Sequence, residues 1–175
     1  MGRRQAAPIF TCMKALIIVL GLLAPVFSMA QNKDTALSKS LPAIPLLLGD
    51  SATLFNIDSY KAGKPVLLML FSPDCDHCQQ TAEELVRRKS ELQDVQIIFA
   101  TLSPLFRMNA FTKEYRLNEL PNIIIGRDFQ SKLISFFGVK YIPYLAFYNS
   151  KGQLVRGVQG SLPAEKIFTL LRSIN

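Results

Sequence analysis

The sequence predicts an α/β fold, a central mixed β-sheet flanked by helices, and three observations lead there. Two apolar runs, residues 66–71 and 95–101, lack polar alternation, as strands covered on both faces do. Segments of helical period lie between and after them. A hairpin pattern and an amphipathic helix close the chain, giving the order β-α-β-α-β-α-β-β-α in one domain. With 49% of its 175 residues hydrophobic, the chain has ample material for a core, which excludes wholesale disorder.

Taken in order, globular patterning begins at Leu41. Pro42 and Pro45 punctuate an extended lead-in, and Gly49-Asp50-Ser51 and Gly63-Lys64-Pro65 make turns. The first core strand, Val66-Leu-Leu-Met-Leu-Phe71, stops at Ser72-Pro73-Asp74. A helix is predicted over 76–92, with Ala82, Leu85, Val86 and Lys89 on one side. Glu83/Arg87 and Glu84/Arg88 form i,i+4 pairs on the other, and Arg87-Arg88-Lys89 reads as a solvated face where cations suit the helix dipole.

After the strand at 95–101, Ser103 as N-cap and Pro104 in the first turn open a helix to about Arg116. Residues 123–126 form a short strand. Asp128 then caps a helix ending at Phe137, and Gly138 is its stop. Residues 144–148 and 153–158 flank the turn Asn149-Ser-Lys-Gly152. Ser161 and Pro163 open a last helix carrying Ile167, Phe168, Leu170, Leu171 and Ile174. The aromatic set Phe136, Phe137, Tyr141, Tyr144, Phe147 and Tyr148 reads as packing and not as a cofactor box, so no cofactor is expected.

The charge is unevenly placed. The chain carries 20 Lys and Arg against 13 Asp and Glu, a formal net charge of +7. Residues 1–30 hold Arg3, Arg4 and Lys14 and no acid, then an apolar stretch from Ala15 to Phe27, then Ser28-Met29-Ala30. A basic start, a stretch shorter than the roughly 20 residues of a spanning helix, and small residues at the minus-three and minus-one positions describe a secretory signal peptide cut after Ala30. The alternative is an uncleaved amino-terminal anchor. Cleavage takes away three cations and leaves residues 31–175 at net +4, too mild for a nucleic-acid partner. Residues 31–40 are polar and read as a tether; residues 41–175 are the domain.

Of three cysteines, Cys12 precedes the apolar run and leaves with it, so it is not a lipid anchor. Cys75 and Cys78 remain, spaced C-x-x-C, in a protein read as periplasmic or secreted, where disulfides persist. Cys75 falls where a buried strand ends and a helix begins. Unpaired N–H groups and the helix dipole stabilise a thiolate there, and the thiolate is the species that attacks in disulfide exchange. Cys75 is therefore the candidate nucleophile and Cys78, one turn inside, the candidate resolver. His77, when protonated, favours the thiolate; Asp74 and Asp76 oppose it.

Strand, Ser72-Pro-Asp-Cys75-Asp-His-Cys78, helix, Tyr141-Ile142-Pro143, hairpin and terminal helix together resemble an exported thioredoxin-like protein of the branch that includes the TlpA- and ResA-type proteins. Gly63-Lys64-Pro65-Val66 is similar to that branch too. The resemblance implies a thioredoxin-like fold, reversible thiol–disulfide exchange at Cys75 and Cys78, and a cis bond at Ile142-Pro143 opposite them. It further implies docking of partner segments at Tyr141, Ile142 and Pro143, cysteine-containing exported proteins as partners, and a membrane electron donor or acceptor. The chain also departs from the family: Asp74 stands where tryptophan is usual, Met69 where thioredoxins bury an Asp, and Thr81 where the ResA type has a glutamate. The acid/base for the resolving thiol is thus unassigned.

Other readings of C-x-x-C compete. Structural zinc takes four ligands, and here two cysteines and the enclosed His77 are too few, so no metal is expected. A structural staple over so small a loop contributes only about 2 kcal/mol. Ser72-x-x-Cys75 echoes the peroxiredoxins, although no Arg can be assigned beside it. A metal-delivery module on the same fold is the non-enzymatic alternative. It has little to work with, because Met69 and Met108 are the only methionines after the apolar stretch and its flanking Met29.

Overall fold

The computed structural model describes Gly2, residues 40–60 and residues 63–174. The readings of 1–30 as signal peptide and 31–40 as tether fall, but for Gly2 and Ser40, outside these residues. Seven strands form one mixed sheet: β1 (Pro45–Leu48), β2 (Leu54–Asn56), β3 (Val66–Phe71), β4 (Gln96–Thr101), β5 (Ile123–Arg127), β6 (Tyr144–Tyr148) and β7 (Leu154–Gln159). Their spatial order is β2-β1-β5-β4-β3-β6-β7. Four helices flank it: α1 (Asp76–Arg87), α2 (Leu105–Glu114), α3 (Lys132–Phe137) and α4 (Ala164–Ser173). Among the described residues no helix is long and apolar enough to cross a membrane.

The unalternating runs are the central strands. β3 pairs in parallel with β4 and antiparallel with β6, and all six of its residues are buried. Side chains alternate across a strand, so Leu67, Met69 and Phe71 enter one core while Val66, Leu68 and Leu70 enter the other. The first core is closed by α1, α2 and α4 through Cys78, Ala82, Leu85, Met108, Phe111, Ile167, Phe168 and Leu171. The second is closed by Leu133 of α3 with Ile44, Leu46 and Ile57. A Leu→Ala change in such a strand costs about 2–5 kcal/mol.

Several boundaries differ from the sequence expectation. The extended lead-in is a hairpin: β1 pairs antiparallel with β2 and also with β5, widening the sheet. Its turn is held by Asp50, whose Oδ1 accepts the Ala52 and Thr53 N–H groups at 3.0 and 2.9 Å. The helix expected to reach Leu92 stops at Arg87, and a 3-10 turn, Lys89–Leu92, follows. The i,i+4 pairs therefore do not form. Arg87 meets Glu84, and Arg88 grips Glu91 through two bonds of 2.7 and 3.0 Å and also reaches Glu165.

Nor is Arg88 part of a solvated face. Its guanidinium lies 3.7 Å over the Phe168 ring, with only 15% of the side chain exposed. Lys89, expected on the apolar side, is exposed and bonds Glu119 at 2.7 Å. Ser103 is no cap, because α2 starts one residue later with Pro104 in the cap position. The Ser103 N–H instead donates to Thr101 Oγ1 at 3.1 Å, which fixes the loop before the helix. That helix ends at Glu114, ahead of a left-handed Arg116. Asp128 is not in the cap position of α3, which Ser131 occupies, but its carboxylate accepts the first N–H groups of that helix, Leu133 at 2.8 Å and Lys132 at 3.2 Å. Of the aromatic set, Tyr144, Phe147 and Tyr148 are buried and Tyr141 is exposed.

Gly126 shows how closely the added hairpin packs. A Cβ built on it would lie 2.6 Å from Leu46 Cβ, on a strand held by both neighbours. Gly126→Ala should destabilise the protein by about 1–3 kcal/mol through overpacking, read as a lower denaturant midpoint with an unchanged slope.

Candidate active site

β3 delivers the chain to the mouth of the sheet, where Ser72-Pro73-Asp74-Cys75 turns into α1. The Cys75 N–H donates to the Ser72 carbonyl at 3.1 Å, and Cys75 itself is the helix N-cap with extended backbone angles. Its carbonyl accepts the N–H groups of Cys78 and Gln79 at 2.8 and 3.0 Å, and Gln79 Nε2 donates to the Pro73 carbonyl at 2.9 Å. Sequence alone places Cys75 at a helix start, and the structure puts it there with its sulfur partly accessible.

The two sulfurs differ in environment. Cys78 is fully buried in the core with Met69, Ala82 and Leu85, whereas Cys75 lies half-buried at that core's rim. Burial pushes the Cys78 thiol well above the ordinary 9.0, and the neighbouring Cys75 adds to the rise against a lowering contact from the Ser72 backbone. Of the two residues that depart from the family pattern, Met69 is buried and Thr81 Oγ1 donates to the His77 carbonyl at 2.8 Å. Among the described residues Asp128 is the buried carboxylate, and it is engaged with the first N–H groups of α3.

Opposite the cysteines stands the loop before β6. The Ile142-Pro143 bond is cis, and Cys75 Sγ lies 3.8 Å from the Ile142 carbonyl oxygen. Tyr141 is 69% and Ile142 36% exposed, so the loop presents an apolar edge next to the accessible sulfur. It is held by a residue that sequence reading missed. Gln159, at the end of β7, accepts the Lys140 and Tyr141 N–H groups on its Oε1 at 2.7 and 3.2 Å. The Gly160 N–H donates to the Pro143 carbonyl at 2.8 Å.

Of the charged neighbours, Asp76 and His77 are exposed on the first turn of α1, with His77 facing an open groove between α1 and the Ser161–Pro163 segment. Asp74 is not a lone carboxylate: it is ion-paired with Arg107 of α2. Among the described residues no group of three or more His, Cys, Asp or Glu is arranged to hold a metal ion.

Residues 57–175 match the family model described as the thioredoxin-like domain. The chain belongs to the thioredoxin-like family. No curated protein sequence gives a significant match. Among solved structures, Mycobacterium tuberculosis DsbF, determined in mixed oxidised and reduced forms, superposes with a TM-score of 0.66 at 21% identity, over 78% of this chain and 100% of that one. A secreted Mycobacterium tuberculosis disulfide oxidoreductase homologous to E. coli DsbE gives 0.64 at 18% identity, covering 75% of this chain and 96% of that one. The exposed lipoprotein thioredoxin of Streptococcus pneumoniae gives 0.55 at 23% identity, over 74% and 98%. At these identities the likeness speaks for the thioredoxin-like fold.

Two outcomes follow from the site geometry. Gln159→Ala should expose the Lys140 and Tyr141 amides and raise their hydrogen-exchange rates, leaving those of β3 unchanged. In the reduced protein the folded state holds the Cys78 proton to higher pH than the unfolded chain does. The unfolded state therefore binds fewer protons above about pH 9, and stability falls as pH rises from there. Thermal unfolding of reduced protein between pH 8 and 10 should show this loss, and Cys78→Ala should flatten it.

Proposed function

We propose that this thioredoxin-like protein is an exported thiol–disulfide oxidoreductase that exchanges disulfides with cysteines of other exported proteins. One observation carries the reading: an accessible sulfur at a helix start, Cys75, lies within 3.8 Å of the Ile142 carbonyl before cis-Pro143, with a buried second sulfur, Cys78, behind it. An extended partner segment laid along Tyr141, Ile142 and Pro143 pairs with exposed backbone there and brings its own sulfur to Cys75.

The exchange balances in two steps. The Cys75 thiolate attacks one sulfur of a partner disulfide, breaking that S–S bond and releasing a partner thiolate. Cys78 then gives up its proton, which the partner thiolate released in the first step or solvent takes, and attacks Cys75 Sγ, expelling the second partner sulfur as a thiolate and closing the Cys75–Cys78 disulfide. The partner gains two electrons, and a membrane electron donor restores the dithiol; run backwards, the same steps oxidise a partner and an acceptor recharges the protein. His77, Asp76 and Asp74 tune which form is favoured.

Export rests on the basic start, the apolar stretch and Ser28-Met29-Ala30. The secreted and lipoprotein relatives named above agree with a place in the periplasm or outside the cell.

Cys78→Ser should accumulate partners covalently on Cys75 under mild oxidation, released by dithiol reductant, and Cys75→Ser should trap none and lose disulfide turnover. Recovery of no adduct with Cys78→Ser overturns the reading. A wild-type reduction potential near thioredoxin's, about −270 mV, marks a reductant; one near −120 mV marks a disulfide donor.

A further inference from the structure

We infer that Arg107 is a positioning residue that sets the redox equilibrium of Cys75 and Cys78 by holding the Asp74 carboxylate and compensating its charge. This deepens the oxidoreductase reading and rests on it.

Next to Cys75 in the chain stand Asp74 and Asp76, with His77 one residue on; Cys78 interacts with Cys75 directly, and Arg107 reaches this stretch through its ion pair with Asp74. Asp74 is the immediate neighbour of Cys75, with Cα atoms about 3.8 Å apart, so an unpaired carboxylate there opposes a thiolate at Cys75. The Asp74 ion pair reaches across 33 residues of sequence to the Arg107 guanidinium. The guanidinium comes from a fixed platform. Met108 and Phe111 of α2 are buried, Leu105 packs against the cluster that Cys75 also touches, and Asn109 Nδ2 donates to the Gly49 carbonyl at 3.0 Å. On the other side the Asp74 N–H lies 3.4 Å from Ser72 Oγ within the tight Ser72–Cys75 turn. The Asp74 backbone is thus held by the turn and its carboxylate by Arg107 of α2.

Both partners are substantially exposed, 61% for Asp74 and 41% for Arg107, so the pair adds little to folding stability. Its effect on redox equilibrium has another origin. The disulfide cannot ionise and only the reduced form can carry a thiolate, so a nearby compensating cation acts on one side of the equilibrium only. With Arg107 removed, the Asp74 charge faces the thiolate uncompensated, and the disulfide gains population.

The test equilibrates the purified protein with glutathione: the protein disulfide plus two glutathione thiols gives the dithiol plus one oxidised glutathione. Arg107→Ala should lower the constant for dithiol formation about two- to fivefold, Asp74→Asn should raise it by a similar factor, and Arg107→Lys should keep it near wild type. At 1 M salt, where screening acts over about 3 Å, the differences should shrink toward none. A constant unmoved in Arg107→Ala, a shift that persists at 1 M salt, or one that Arg107→Lys does not rescue, overturns the inference in favour of a packing role or none. If Arg107→Ala fails to fold, Asp74→Asn and Arg107→Lys still decide it by the same criteria. A wild-type protein that forms no reversible disulfide in glutathione overturns the oxidoreductase reading, and this inference with it; one that cycles while the variants stay unresponsive overturns this inference alone.

Discussion

Two-sided burial of β3 is the constraint on which the rest of the molecule depends. A strand with six buried residues has no solvent face to turn toward, so its register against β4 and β6 is fixed by both cores at once. Because that strand runs directly into Ser72-Pro73-Asp74-Cys75, the position of the first sulfur is inherited from the deepest part of the fold. β6 is β3's other neighbour, and the cis-proline loop enters it, so the two halves of the site sit on adjacent strands of one rigid core.

From that placement follows the unequal treatment of the sulfurs. The helix start leaves Cys75 at the boundary of core and solvent, and one helical turn carries Cys78 into the apolar interior beside Met69. Desolvation then raises the pKa of the inner thiol. Met69 and Thr81 put no carboxylate beside the inner sulfur, and the charged side chains of this region, Asp74, Asp76, His77 and Arg107, lie toward the outer surface.

The sequence made the central strands, the cysteine pair and the proline loop legible because each has a local signature: unbroken apolar runs, a C-x-x-C at a strand-to-helix junction, and an Ile-Pro before a strand. The family resemblance supplied the cis geometry of Ile142-Pro143. What escaped had no local signature. The β1–β2 hairpin is short, and Leu54 and Asn56 are exposed, so it shows no two-residue period worth reading. The pairing of Arg107 with Asp74 and the grip of Gln159 on the proline loop join residues 33 and 18 or more positions apart, and only the completed fold brings them together. Arg88 escapes a local reading for a related reason: Glu165 and Phe168, which cover it, arrive from the last helix.

That Arg88 cluster bears on how two helices are joined. The guanidinium stacks on Phe168, binds Glu91 and Glu165, and Glu91 is gripped again by Arg172 at 3.2 Å, so the far end of α1 is riveted to α4. The two sulfurs lie at the opposite end of α1, so the clamp ties this helix to the last one without touching either cysteine.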